Sequence, residues 1–177
     1  MTLAIGATVP ELELSDTAGA TWTEAAGEGT QATVIVFTCN HCPYALAWHE
    51  RIADAARDYA GRGVQFLAIN PNDSERYPRD SPQAMRARVE AEDWPMPYLH
   101  DASQDVARAY GAKTTPDVFV LDAERRLRYR GAPDADHGDE SLRADWLRDA
   151  LDAVLAGRAP ERPQTEPVGC SIKWKPS

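Results

Sequence analysis

The stretch from Thr33 to Pro43, Thr-Val-Ile-Val-Phe-Thr-Cys-Asn-His-Cys-Pro, constrains the fold more than any other part of the chain. Thr33 to Phe37 are β-branched or aromatic and uncharged. A continuous apolar run of this length suits a strand buried on both faces of a sheet. It passes into Cys39-Asn40-His41-Cys42, and Pro43 then opens an amphipathic segment. Proline costs nothing in the first turn of a helix, where its missing N–H would have had no partner. The pattern predicts strand, Cys-x-x-Cys, helix, with the first thiol exposed at a helix N-terminus and the second buried. The chemistry is expected there.

The segments on either side predict an α/β domain. Val9 to Leu14 alternates in period two, Asp16 to Gly19 forms a turn, and a second short strand falls near Thr21 to Thr23. Residues 25–31 read as a loop or brief helix. After Cys42, apolar residues recur at helical spacing up to Tyr59, and Gly61 and Gly63 supply the stop. Val64 to Ile69 is a second buried strand. Asn70 to Pro82 reads as a surface loop, with Ser81-Pro82 capping a helix to about Glu92. Asp93 to Asp101 is extended, and Ser103 to Tyr110 is a short helix stopped by Gly111. Asp117 to Leu121 and Leu127 to Arg130 are further strands. Ser141 to Ala156 is the last helix, its apolar face running from Leu142 to Leu155. A domain over residues 1–157 is followed by a proline-rich tail, 158–177. Its Val168, Ile172 and Trp174 predict that it docks on the domain, since such residues gain by burial.

Composition narrows the function. The 177 residues suffice for one well-cored domain, and a net charge of −9 argues against a nucleic-acid or anionic-membrane partner. Met1 to Leu14 lacks a basic start and a long apolar run, so the expected location is cytoplasmic. Three cysteines do not make a secreted disulfide scaffold. In a reducing compartment a Cys-x-x-Cys pair is redox-active or metal-binding rather than structural. Zinc wants four ligands, and no second Cys-x-x-Cys or Cys/His pair exists, so no metal and no cofactor are expected.

The order β-α-β, helices, β-β-α, with Cys-x-x-Cys after the first core strand and Thr115-Pro116 ahead of the third, resembles the thioredoxin fold. Ile5-Gly6, Pro10 and Asp16 to Gly19 ahead of the core resemble its redoxin branch, the AhpC/TSA-related proteins. The resemblance runs from about Ile5 to Ala156. It implies a central mixed β-sheet flanked by helices, with an N-terminal β extension. It also implies a thiol–disulfide oxidoreductase of cell redox homeostasis, with Cys39 as nucleophile and Cys42 as resolving thiol. His41, immediately before the second cysteine, matches the position of the histidine in strongly oxidising relatives. A cis Thr115–Pro116 bond would leave Thr115 free to pair with a substrate strand, so Thr115, Pro116 and Asn40 are the expected substrate-binding residues. Partners would be protein or small-molecule disulfides and thiols, or peroxides, with an electron donor that the sequence does not name.

The thiolate is the reactive species, and a free cysteine of pKa about 8.5 is only a few per cent ionised at pH 7. Lowering that value to about 6 requires roughly 3.4 kcal/mol, of which a helix N-terminus contributes at most ~2 kcal/mol. Hydrogen bonds and His41 must supply the rest. Typical thioredoxins also bury an acid in the strand before the motif. Thr33 to Thr38 holds none, so water, His41 or a residue from elsewhere must serve. The Pro-x-x-x-Thr-x-x-Cys stretch of typical peroxiredoxins is absent too, which leaves antioxidant peroxidase activity as the second reading. The third is a copper or haem carrier with Cys39, Cys42, His41 and Cys170 as ligands, since soft Cu(I) suits thiolates.

The remaining features have plainer readings. His49 lies on the helix about 10 Å along the axis from Cys42 and serves packing or solvent exposure. His100 is structural, and Asp134 to Glu140 is a solvated acidic loop. Cys170 has no counterpart in a thioredoxin-like core. It is either a small buried filler or a third thiol carried back to the active site. About twelve residues separate it from Gly157 and extend up to ~40 Å.

Overall fold

The computed structural model describes residues 3–25 and 27–177. Residues 1–2 of the chain start and Ala26 of the expected 25–31 loop lie outside the described residues. An antiparallel hairpin of β1 (Glu13–Ser15) and β2 (Thr21–Thr23) precedes the core. Its turn is tied by Asp16, whose Oδ1 accepts the N–H groups of Ala18 and Ala20. The core then follows as β3 (Ala32–Phe37), α1 (Pro43–Tyr59), β4 (Val64–Asn70), α2 (Pro82–Glu92) and β5 (Tyr98–His100). It continues with α3 (Asp105–Tyr110), β6 (Thr114–Thr115), β7 (Asp117–Asp122), β8 (Leu127–Gly131), α4 (Asp145–Leu155) and β9 (Cys170–Ser171).

The five-stranded sheet has the order β5-β4-β3-β7-β8. β3 is central, parallel to β4 and antiparallel to β7, and all six of its residues are buried. Its side chains divide between two apolar layers. Val34 and Val36 pack with Trp48 and Ile52 of α1 and Leu147 and Leu151 of α4. Ile35 and Phe37 pack with Leu67, Ile69, Tyr110 and Phe119 on the other face. That is why the run carries no alternation. It is a mixed α/β sheet flanked by helices.

Three expectations are corrected and one is refined. Asn70 to Pro82 is no surface loop: Asn70, Asn72, Asp73 and Asp80 are buried. The extended 93–101 segment contains a strand, β5, which pairs parallel with β4 at the sheet edge. The last helix begins at Asp145 rather than Ser141. The Ser141 hydroxyl and N–H are spent on Asp139 Oδ1, and Ala144 takes a left-handed φ of 59° that no helix continues through. Asp134 is buried rather than solvated, and accepts hydrogen bonds from Trp48 Nε1, Arg51 Nη1 and the Ala144 N–H.

Beyond α4 the tail runs along β8, where Thr165 N donates to Arg130 O, and then crosses to β6. There β9 pairs antiparallel with it, Thr114 opposite Ser171 and Thr115 opposite Cys170. Ile172 enters the second apolar layer. Lys173 N donates to Asn72 Oδ1, and Lys173 O accepts from Asp73 N and Gln104 Nε2. A Cβ at Gly169 would lie on the Thr115 carbonyl, well inside van der Waals contact. Gly169→Ala is therefore expected to lift the tail from β6 and to destabilise the protein by about 1–3 kcal/mol. Amide exchange at Ile172 and Lys173 should lose its protection, and unchanged protection would refute the close approach.

His49 is buried against Trp94, with ring centroids 4.4 Å apart. Burial, aided by the Arg88 charge and opposed by Glu92, pushes its pKa down to about 4. Between the ordinary value of 6.5 and about 4 the unfolded chain binds a proton that the folded chain refuses. Stability therefore falls as pH drops through that window. His49→Gln should lose less stability over the same window, read from urea midpoints at its two ends. Equal losses in the two proteins would show that His49 contributes nothing to the acid sensitivity.

Candidate active site

The β3–β7 register builds the site. Phe37 pairs with Asp117, and continuing that antiparallel register by two residues sets Cys39 opposite Thr115. The Thr115–Pro116 bond is cis. Cys39 Sγ lies 3.3 Å from Thr115 Oγ1, and the Cys42 thiol donates to the Thr115 carbonyl at 3.1 Å. One residue thus addresses both sulfurs. All three cysteines are free thiols.

Two expectations about the motif change here. The helix starts at Pro43, so its N-cap is Cys42, not Cys39. Neither sulfur is open: Cys39 and Cys42 both belong to residues with 0% exposure. Thr115 is not a free substrate-pairing edge either, because β9 occupies it. Asn40 is likewise used internally. Its Oδ1 accepts from Arg88 Nη1 and Tyr98 OH, and its Nδ2 donates to Arg79 O.

A buried acid does stand beside the motif, supplied by the segment after β4, but on the Cys39 side rather than the Cys42 side. Asp80 has no exposed surface. Its Oδ1 accepts from Asn40 N at 2.7 Å and Asn70 Nδ2 at 3.1 Å. Its Oδ2 accepts from Asn72 Nδ2 at 3.1 Å and lies 2.6 Å from His41 Nδ1. His41 in turn stacks on Tyr77. Arg88 Nη1, which donates to the Cys39 carbonyl, closes the network on the other side. Asp80 and Arg88 were not singled out in the sequence. The only sign of Asp80 is that the 70–80 segment carries short amides and carboxylates, the side chains that fit a compact hydrogen-bonded cluster.

The two thiols titrate as one unit. The Cys42 pKa is pushed down to about 4, first by the hydrogen bond from Cys39. Burial opposes this, and the Cys170 thiol and nearby backbone N–H groups assist it. Cys39 moves far up, because it donates to Cys42, is buried and faces the Asp80 charge. The Thr115 hydroxyl and the His41 N–H offset part of that rise. The first anion of the pair is therefore favoured on Cys42, the N-cap of α1, rather than on Cys39.

A metal could be held by Cys39, His41 and Asp80, whose ligand atoms lie within 4.8 Å of one another. Both Asp80 oxygens, however, already have two protein partners each. Cys42 and Cys170 are not in that group, so the four ligands expected of a copper or haem carrier do not converge among the described residues.

A Cys-x-x-Cys pair after the central strand, facing a cis-proline beside a mixed five-stranded sheet, defines a thioredoxin-like protein. Within that class the AhpC/TSA family model matches residues 5–130, and the chain belongs to the AhpC/TSA family. It is similar over its whole length to a hypothetical protein from Sinorhizobium meliloti 1021, with 38% identity, 98% of that chain covered and a TM-score of 0.93. An uncharacterized conserved protein from Geobacillus kaustophilus is 40% identical over 98% of this chain and 94% of its own, TM-score 0.93. A protein assigned as the thiol:disulfide interchange protein DsbE of Chlorobium tepidum shares the fold at 17% identity. It covers 87% of this chain and 99% of its own, with a TM-score of 0.71. No curated protein matches the chain. The family gives a thiol redox role, of oxidoreductase or peroxidase class.

Removing the Asp80 carboxylate strands four polar partners, the side chains of buried Asn70 and Asn72 and the partly buried Asn40 N–H and His41 Nδ1. Asp80→Ala is expected to cost about 3–5 kcal/mol, as for a buried ion pair that loses one member. Asp80→Asn keeps the volume but sets an NH₂ against existing donors, and should cost at least about 1 kcal/mol. Urea unfolding measures both. Wild-type stability in Asp80→Ala would mean the network holds nothing together.

Proposed function

We propose that the protein is a thiol–disulfide oxidoreductase that cycles Cys39 and Cys42 between dithiol and disulfide. The observation that carries this is the convergence of both sulfurs on Thr115, with the ionisation of one favoured by the proton of the other. The single proton left on the pair can sit on either sulfur. On Cys39 it is donated to Cys42. On Cys42 it is donated to the Thr115 carbonyl, and the Cys39 thiolate then has the Thr115 hydroxyl and the His41 N–H as donors.

In that second form Cys39 attacks one sulfur of a substrate disulfide. The other sulfur leaves as a thiolate, and a mixed disulfide forms on Cys39. Cys42 then gives up its proton and attacks Cys39 Sγ, expelling the second substrate thiolate, which takes up a proton. The pair is oxidised by two electrons and the substrate reduced by two. In the resolving step the proton of Cys39 is gone, and the start of α1 and the backbone N–H of Ala45 are what still favour the Cys42 thiolate.

The burial of both sulfurs favours a second reading as a thiol peroxidase. A peroxide is small enough to reach a site that a protein disulfide cannot enter without displacing the tail. Cys39 would be oxidised to a sulfenic acid with loss of an alcohol or water. Cys42 would then displace water, giving the same disulfide. A cytoplasmic location, which keeps the resting pair reduced, remains part of both readings.

The test is oxidation of the wild-type protein by glutathione disulfide or by hydrogen peroxide, followed by peptide mapping without reduction. A Cys39–Cys42 disulfide is expected, with turnover lost in Cys39→Ser and in Cys42→Ser. The faster of the two oxidants separates the readings. If neither oxidant yields that bond, the proposed function is wrong.

A further inference from the structure

The buried pair poses a problem of delivery. A disulfide formed between two sealed sulfurs must be reduced again by an external thiol, and neither sulfur is accessible. Cys170 is the one cysteine of the three that is partly exposed. It packs against the cluster of Cys39, Cys42 and Ala45, and it is the register partner of Thr115, the residue that hydrogen-bonds both buried sulfurs. Residues opposed in an antiparallel pair have Cα atoms only about 4.5–5.5 Å apart.

Resting on the assignment of Cys39 and Cys42 as the redox pair, we propose that Cys170 is a third catalytic thiol. It exchanges with Cys42 and carries the disulfide from the core to the surface as a Cys42–Cys170 bond.

The tail around Cys170 supports a positioned nucleophile rather than a filler. Gly169 is the only residue type that fits against the Thr115 carbonyl, so the backbone can come close enough to aim the next side chain inward. On the other side Ile172 is buried, and the backbone of Lys173 makes hydrogen bonds with Asn72, Asp73 and Gln104. The ordering cost of bringing Cys170 to the site is therefore met in folding rather than in each turnover. The three sulfurs also have an order. The Cys42 thiol donates to the backbone carbonyl of Thr115, the residue directly opposite Cys170, whereas Cys39 meets the Thr115 side chain. Cys42 is the middle sulfur, the one a relay must pass through.

The state of the pair gates the third thiol. In the reduced protein the Cys170 pKa is pushed up to about 11 by burial, by its hydrogen bond to Cys42 and by the Cys42 charge. Closing the Cys39–Cys42 disulfide removes that charge. Cys170 then ionises more readily at the moment when there is a bond for it to attack.

The exchange balances without an added oxidant. Cys170 gives its proton to solvent and its thiolate attacks Cys42 Sγ. The Cys39–Cys42 bond breaks, and its electron pair leaves on Cys39, which has the Thr115 hydroxyl and the His41 N–H as donors before it takes up a proton. An external thiol then attacks Cys170 Sγ and releases Cys42. A second external thiol completes the reduction, yielding the external disulfide and Cys170 as a thiol.

Three measurements test this on the full chain. Cys39→Ser, oxidised by glutathione disulfide, should yield a Cys42–Cys170 disulfide on peptide mapping. Partly oxidised wild type should contain that bond beside Cys39–Cys42. In Cys170→Ser and Cys170→Ala the Cys39–Cys42 disulfide should still form, but its reduction by a protein dithiol should slow by about tenfold or more. Urea midpoints near the wild-type value will report that both variants fold. If Cys39–Cys42 forms while Cys42–Cys170 never does, or if both Cys170 variants are reduced by the protein dithiol at the wild-type rate, the relay is overturned. Absence of Cys39–Cys42 itself would instead strike the underlying function.

Discussion

The site depends on the antiparallel register between β3 and β7. Because side chains alternate with period two, a slip by one residue would exchange the two apolar layers and turn every β3 side chain to the wrong face. Val34 and Val36 must meet α1 and α4 while Ile35 and Phe37 meet Tyr110 and Phe119. Packing on both faces therefore pins the register. The same register, continued past the end of β3, sets Cys39 against Thr115. Positioning of the sulfurs is thus a consequence of core packing, and the Cys-x-x-Cys loop needs few constraints of its own.

What the register does not supply is a fixed conformation for Asn40 and His41, and here a buried carboxylate takes over. An unpaired charge without solvent would be very costly. Asp80 avoids that cost through two partners on each oxygen. Those partners come from the motif itself and from the end of β4, so the network staples two chain segments that the sheet alone leaves free. It also places a negative charge near Cys39 but not near Cys42, which helps the pair to hold its first anion on the second sulfur. The helix start acts in the same sense, since Cys42 is its N-cap.

The parts of this arrangement legible in the sequence are those written in periodicity and in proline. β3, α1 and β7 follow from apolar spacing, and Ser81 caps α2 through its hydroxyl at the expected place. The rest depends on distant partners. Asp80 and Asp134 look like ordinary loop carboxylates because their donors lie far away in sequence, at Asn40 and His41 for one and at Trp48 and Arg51 for the other. The start of α4 is hidden for the opposite reason: Ser141 and Asp139 satisfy each other locally and stop the helix short. β9 has two residues and no pattern that could reveal a strand. Only its apolar neighbours Ile172 and Trp174 point to docking.

The position of β9 bears on which substrates the enzyme can serve. β6 would otherwise present unpaired backbone groups beside the cis-proline, the kind of edge that recruits an extended chain. The tail fills it from within the same molecule. An intramolecular occupant competes at an effective concentration on the order of millimolar even on a flexible connection, and this one is held along β8. A protein substrate that binds by strand pairing at micromolar concentration must therefore overcome a competitor present at roughly a thousandfold excess. A small oxidant faces no such competition, because it needs only a path to Cys39 and no backbone partner. The same strand that excludes a substrate chain carries Cys170 to Cys42. Blocking strand-type substrates and, in the proposed relay, opening a sulfur route to the surface would thus be two results of one pairing. A displaced tail would exchange them together, freeing Thr115 for an extended chain while removing the third thiol.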